Sequence, residues 1–99
     1  MKKDPYLLNE YKQYYRKVEI ETRKSIKNHS DKIQDYDKRG YEYHLDHIYS
    51  ILDGFNNSIS PKIIGHWRNL RIISKFENES KGGRSDITIY ELKELVRND

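Results

Sequence analysis

The sequence predicts a small α+β domain in which two short antiparallel strands are flanked by helices at both ends. Three observations carry this expectation. Apolar and aromatic positions recur at helical spacing from Leu8 to Ile26. Tyr41, Tyr43 and Leu45 alternate with Glu42, His44 and Asp46, and a second strand-like run, "NLRIIS", starts at Asn69. Ser or Thr stands three residues before Glu at Ser74/Glu77 and at Thr88/Glu91, the pattern of a helix start.

Each element follows from local chemistry. In the first helix Leu8, Tyr11, Tyr15, Val18, Thr22 and Ile26 form the packing face, and Lys12, Arg16, Arg23 and Lys27 the basic face. "NHSDKIQDYDKRG" is polar and ends in Gly40, so it reads as a loop with a short helical piece. "YEYHLDHIYSIL" reads as the first strand; its alternation puts His44 and Asp46 on one face and His47 on the other or at the strand's end. "DGFNNSIS" is turn-rich. Ser60-Pro61 then opens a short helix that Gly65 closes. A helix begins at Lys75, after the second strand, and stops at Gly82-Gly83. The last helix covers Ile89 to Arg97. The chain thus divides into an N-terminal helical region (1–40), a core (41–84) and a C-terminal helix (85–99), with no repeat and no second domain.

Composition narrows the function classes. Of the 99 residues, 34% are hydrophobic and 35% charged, so the core must be thin. No run approaches the roughly 18 apolar residues of a membrane span. The start, "MKKDPYLLNEYKQYY", has no apolar run and does not read as a signal peptide. Cysteine is absent, which removes disulfides and thiolate zinc sites and fits an intracellular setting. The net charge of +3 suits a polyanionic partner. Between Lys62 and Arg84, Lys62, Arg68, Arg71, Lys75, Lys81 and Arg84 face only Glu77 and Glu79.

The chemistry concentrates in "YEYHLDHIYS", where His44, Asp46 and His47 fall within four positions. Such a group serves as a metal site, as a general base beside a metal ligand, or as neither. Asn69 opens the second strand and Asn78 lies one turn into the helix after it.

Asp46-His47 closing a strand, Asn69 heading "NLRII", and "NESK" from Asn78 to Lys81 together resemble the HNH endonucleases of the ββα-metal fold. The wider string "YHLDHIYSILDGFNNSISPKIIGHWRNLRIIS" and the tail "RSDITIYELKEL" resemble phage-type HNH proteins of homing or mobile endonucleases. The chain departs from many of them in lacking the paired cysteines of a zinc ribbon. Packing must then hold the scaffold, with the N-terminal helix, Trp67 and the tyrosines as its material.

The resemblance implies a metal-dependent DNA endonuclease that nicks or cuts both strands and leaves 5′-phosphate and 3′-hydroxyl ends. It implies one divalent ion, Mg²⁺ or a substitute such as Mn²⁺, on the oxygens of Asp46 and Asn78. His47 would be the general base and Asn69 would orient it by a hydrogen bond across the loop between the strands. His44 reads either as an accessory ligand or phosphate contact, or as an ordinary strand residue. His66 reads as a neighbour of the site or the DNA, or as a surface residue. Lys81 reads as a phosphate contact, and Arg68, Arg71, Lys75 and Arg84 as contacts to the DNA backbone. The rival readings are a non-catalytic DNA-binding module, a zinc-binding structural domain using His44, Asp46, His47 and His66, and an HNH descendant without activity. The sequence leaves the oligomeric state open, a homodimer included.

Overall fold

In the computed structural model, which describes residues 5–97, Pro5–His29 forms one helix, α1. Its inward stripe follows the 3.6-residue period, with Val18 fully buried and Thr22 nearly so. Tyr14 rather than Tyr15 completes the stripe: Tyr14 packs on the core, while Tyr15 is 41% exposed. The Tyr14 hydroxyl explains the choice, because it donates to the Ile59 carbonyl at 2.7 Å. The polar loop that follows holds two 3-10 turns, Ser30–Lys32 and Tyr36–Lys38.

Strand β1, Tyr43–His47, pairs antiparallel with β2, Leu70–Ser74. The register sets Tyr43 opposite Ser74, Asp46 opposite Arg71 and His47 opposite Leu70. Asn69 lies just before β2, at the end of a 3-10 turn, Trp67–Asn69. The two strands form the sheet among the described residues.

The excursion between the strands departs from expectation. β1 stops at His47, and Ile51–Asn56, expected as strand end and turn, is a helix, α2. Ser50 is the reason: its side chain accepts the Asp53 backbone N–H and caps a helix start inside a run that reads as β-forming. Helix α3, Pro61–Ile64, has the expected Ser60 cap, Pro61 at its start and Gly65 at its end. Helix α4, Lys75–Lys81, starts on the Ser74 cap and ends at Gly82 with φ of 56°. Helix α5, Ile89–Val96, carries the full Thr88/Glu91 capping box.

Val18, Tyr49, Ile64 and Leu92 form the buried core, joined by Tyr14 and isoleucines of the excursion and of α5. Trp67 is not part of it. Its ring lies near those of His29 and His66, with Lys32 and Arg68 over its face. No helix among the described residues is long and apolar enough to cross a membrane.

Gly65 sets how closely α1 approaches the excursion. A Cβ there would sit 2.8 Å from the Thr22 backbone nitrogen and 2.8 Å from the Glu21 Cβ. Gly65→Ala must therefore push α1 outward. A loss of about 1–3 kcal/mol in stability is expected, the usual cost of overpacking. Urea unfolding reads it directly, and an unchanged midpoint would show that this approach is not tight.

Candidate functional site

Asp46 is 6% exposed, and each of its oxygens meets a cation. Arg71, opposite it in the register, donates from Nε to Oδ2 at 2.8 Å. Lys81, at the end of α4, donates from Nζ to Oδ1 at 3.0 Å. Lys81 is itself buried and gives a second bond, at 2.7 Å, to the His47 carbonyl. Arg71 continues the network to Asp86 through NH2. Burial opposes the Arg71 charge, but hydrogen bonds and charges from Asp86 and Asp46 outweigh it and raise the pKa. The same Arg71 bond holds Asp86 below the ordinary carboxylate value.

His47 leaves the strand on the side of α1. Its Nε2 lies 3.0 Å from Thr22 Oγ1. Thr22 has one hydroxyl proton, and the Val18 carbonyl, at 2.8 Å and four residues back on the same helix, takes it. The Nε2 contact is then a hydrogen bond only if His47 donates. That assigns the ring proton to Nε2 and leaves Nδ1 with a bare lone pair. Nδ1 has no protein partner among the described residues and is not sealed from solvent. Burial, with Lys81 adding to it and Asp46 opposing it, lowers the His47 pKa to about 4. The ring is neutral at pH 7.

His44 and Asn78 are ordered by the same logic. His44 Nε2 is 3.2 Å from the Tyr41 carbonyl, an acceptor only, so Nε2 carries the proton. Nδ1 is then an acceptor, and Asn78 donates to it from Nδ2 at 3.2 Å. The Asn78 amide oxygen is left free of that bond.

Asn69 does not touch the His47 ring. It is fully buried, accepts the Tyr49 N–H at 2.9 Å, and donates to the Tyr49 and Ile64 carbonyls at 3.1 and 2.8 Å. It crosses the loop as expected, but it holds backbone two residues beyond the histidine.

Asp46, His47, Asn78 and Lys81 line one cavity of about 270 Å³. His44, His47 and Asn78 also line a groove of about 970 Å³ between α1 and β1. The remaining expected contacts lie elsewhere. His66 and Arg68 gather at Trp67 and line neither cavity. Lys75 covers Tyr41, with Nζ 4.5 Å from the ring centre. Arg84 is exposed beside Asp86. Lys81 and Arg71, expected on phosphate, are committed to Asp46. Thr22 is the residue that sequence reasoning missed as a functional one. Its one signal is a hydroxyl on the packing face of an amphipathic helix.

The oxygens that could face a hard cation are those of Asp46 and Asn78, and both Asp46 oxygens already meet cations. Each Asp46 oxygen takes one hydrogen bond and retains a lone pair, and the Asn78 oxygen is unused by His44. No group of three His, Cys, Asp or Glu side chains that could hold a metal ion is found among the described residues. The chain matches no protein-family model, no curated protein and no solved structure.

Two stability predictions follow from burial. Asp46→Ala leaves Lys81 buried without its counter-ion and should cost about 3–5 kcal/mol in urea unfolding; a loss below 1 kcal/mol would mean that Lys81 swings out to water. The second concerns pH. Between the ordinary histidine pKa of 6.5 and the folded value of about 4, the unfolded chain takes up a proton that folded His47 excludes. Stability is therefore full above pH 6.5 and declines as pH falls towards 4, by up to about 3 kcal/mol. His47→Asn should flatten that slope, and an equal slope in both proteins would place the titration elsewhere.

Proposed function

We propose that this chain is a metal-dependent DNA endonuclease of the HNH type, in which His47 activates the water that attacks a phosphodiester. The observation that carries the reading is the preparation of His47. It is neutral, its Nε2 proton is held by Thr22, its Nδ1 has no partner among the described residues, and His47 lines a cavity that Asp46 and Asn78 also line.

The step follows from that arrangement. Nδ1 takes a proton from water as the water oxygen bonds to phosphorus. The bond from phosphorus to the 3′ oxygen breaks, and the leaving oxygen takes a proton from solvent water, which gives 3′-hydroxyl and 5′-phosphate ends; Nδ1 later returns its proton to solvent. As the imidazolium forms, its Nε2–H bond to Thr22 strengthens, and Asp46, adjacent in the chain, offsets the new charge. Lys81 fixes the His47 carbonyl and so the backbone that carries the base. A divalent ion held by Asp46 and the Asn78 oxygen would supply Lewis-acid stabilisation of the phosphorane and of the leaving oxygen.

One observation favours a second reading. Both Asp46 oxygens already meet cations, as they would in a purely structural clasp, and the chain would then bind DNA without cutting it.

Purified protein incubated with supercoiled plasmid separates the two. The endonuclease reading expects nicked or linear product with Mg²⁺ or Mn²⁺ and none in EDTA. His47→Ala should lower the rate by about 10²–10⁴-fold, the ordinary contribution of a general base. Thr22→Val, which keeps shape but removes the acceptor, should lower it by about tenfold, as the loss of one hydrogen bond to a charged group does. Asn78→Ala should raise the ion concentration needed for half-maximal rate. A folded His47→Ala protein with full activity, or a wild-type protein inert with every divalent ion tried, defeats the reading.

A further inference from the structure

The groove between α1 and β1 is larger than hydrolysis at His47 needs. Its floor carries His44, His47 and Asn78. One wall is α1, where Arg23 and Lys27 stand one turn apart, about 6 Å along the axis. The opposite rim carries Arg39, from the segment that leads into β1. Among the charged lining residues only Glu19 is acidic, so three cations face one carboxylate.

Several cations elsewhere are held by carboxylates. Lys24 pairs with Glu21, Lys38 with Asp35 and Arg97 with Glu94, while Arg71 and Lys81 are committed to Asp46. Arg23 and Lys27 are exposed and form no ion pair with a described residue. Arg39 is exposed too, and its guanidinium meets only the Tyr36 hydroxyl and ring. Lys12, Arg16, Lys17, Lys62 and Lys93 are likewise exposed without an ion pair to a described residue, but they lie outside the groove; within it three such cations share one channel with His47. Tyr15, on the α1 wall and partly exposed, adds a ring face of the kind on which a base stacks.

We propose that this groove holds one strand of nucleic acid along α1, with Arg23, Lys27 and Arg39 neutralising the phosphates that flank the one presented to His47. The assignment of the central phosphate rests on the endonuclease reading; the assignment of the strand to the groove does not. The basic residues between Lys62 and Arg84 have a lesser part. The recognition is of backbone charge, so affinity is salt-dependent and nearly independent of sequence.

The test is binding of fluorescein-labelled oligonucleotides in EDTA, where cleavage is stopped, read by anisotropy across a salt series. The triple variant Arg23→Gln, Lys27→Gln, Arg39→Gln keeps helix propensity and removes the three charges. It should bind a single-stranded oligonucleotide at least tenfold more weakly, with a log–log salt slope flatter by about 2, given roughly 0.7 per phosphate contact. Lys17→Gln, Lys62→Gln, Lys93→Gln removes equal charge outside the groove and should bind nearly as wild type does. Circular dichroism checks that each variant folds. If the triple variant does not, Lys27→Gln and Arg39→Gln are read singly, each with about one third of the effect.

Equal losses in the two triple variants would reduce the effect to net charge and overturn the proposal. So would undiminished binding in the groove variant, binding restricted to duplex, or no binding by the wild type. A wild type that binds through these residues yet never cleaves would defeat the endonuclease reading and leave the groove standing. A groove variant that binds and cleaves as wild type does would have the opposite meaning.

Discussion

The Asp46 carboxylate, held between Arg71 and Lys81, is the contact on which the central unit depends. It joins β1 to β2 through Arg71 and β1 to α4 through Lys81. Arg71 carries the link to Asp86, whose backbone N–H bonds the Ile48 carbonyl and ties down the segment before α5. Such an arrangement is costly to assemble, because three charges lose water. Once assembled, it is costly to break from one side. The carboxylate that would hold an ion is thus also the carboxylate that holds the fold. Two cations beside it oppose a third positive charge, so on the proposed endonuclease reading a divalent ion would bind well only together with a phosphate.

A second set of contacts supplies what cysteine does not. Asn69, fully buried, holds Tyr49 at one end of the excursion and Ile64 near the other. Gly65 follows Ile64 and admits the α1 backbone at Thr22. Thr22 then reaches His47. The chain of cause runs from a buried amide, through a missing Cβ, to the proton on an imidazole. α1 therefore contacts His47 as well as the core, through the Thr22 hydroxyl on its buried face. The same helix offers Arg23 and Lys27 to the groove that Thr22 and His47 also line.

What was legible in the sequence was local. The caps at Ser60, Ser74 and Thr88 each act within three residues, and the structure has all three helices where those patterns put them. The strands were legible from alternation, and the placing of His44 and Asp46 against α4 with His47 turned towards α1 follows from the period of two. Helix α2 was hidden because its cap, Ser50, sits within residues that favour strands. The roles of Arg71 and Lys81 were hidden for a different reason. Their partner Asp46 is remote in sequence, and only the register and the length of α4 bring it near. The family resemblance alone implied Asn69 as a partner for the His47 ring; that it stops at the Tyr49 backbone depends on the path of the excursion. Thr22 could not be distinguished from a tolerated polar residue on a packing face until its distance to His47 was known.

The fold delivers His47 as a neutral imidazole with its proton on Nε2 and its lone pair on Nδ1. Long-range ¹⁵N–¹H correlation of the imidazole in labelled protein at pH 7 tests this without substrate or metal. One protonated and one bare ring nitrogen are expected, with the proton on Nε2, and no conversion to imidazolium until the pH falls well below the ordinary value of 6.5. A proton on Nδ1, or a ring already charged near neutral pH, would contradict it.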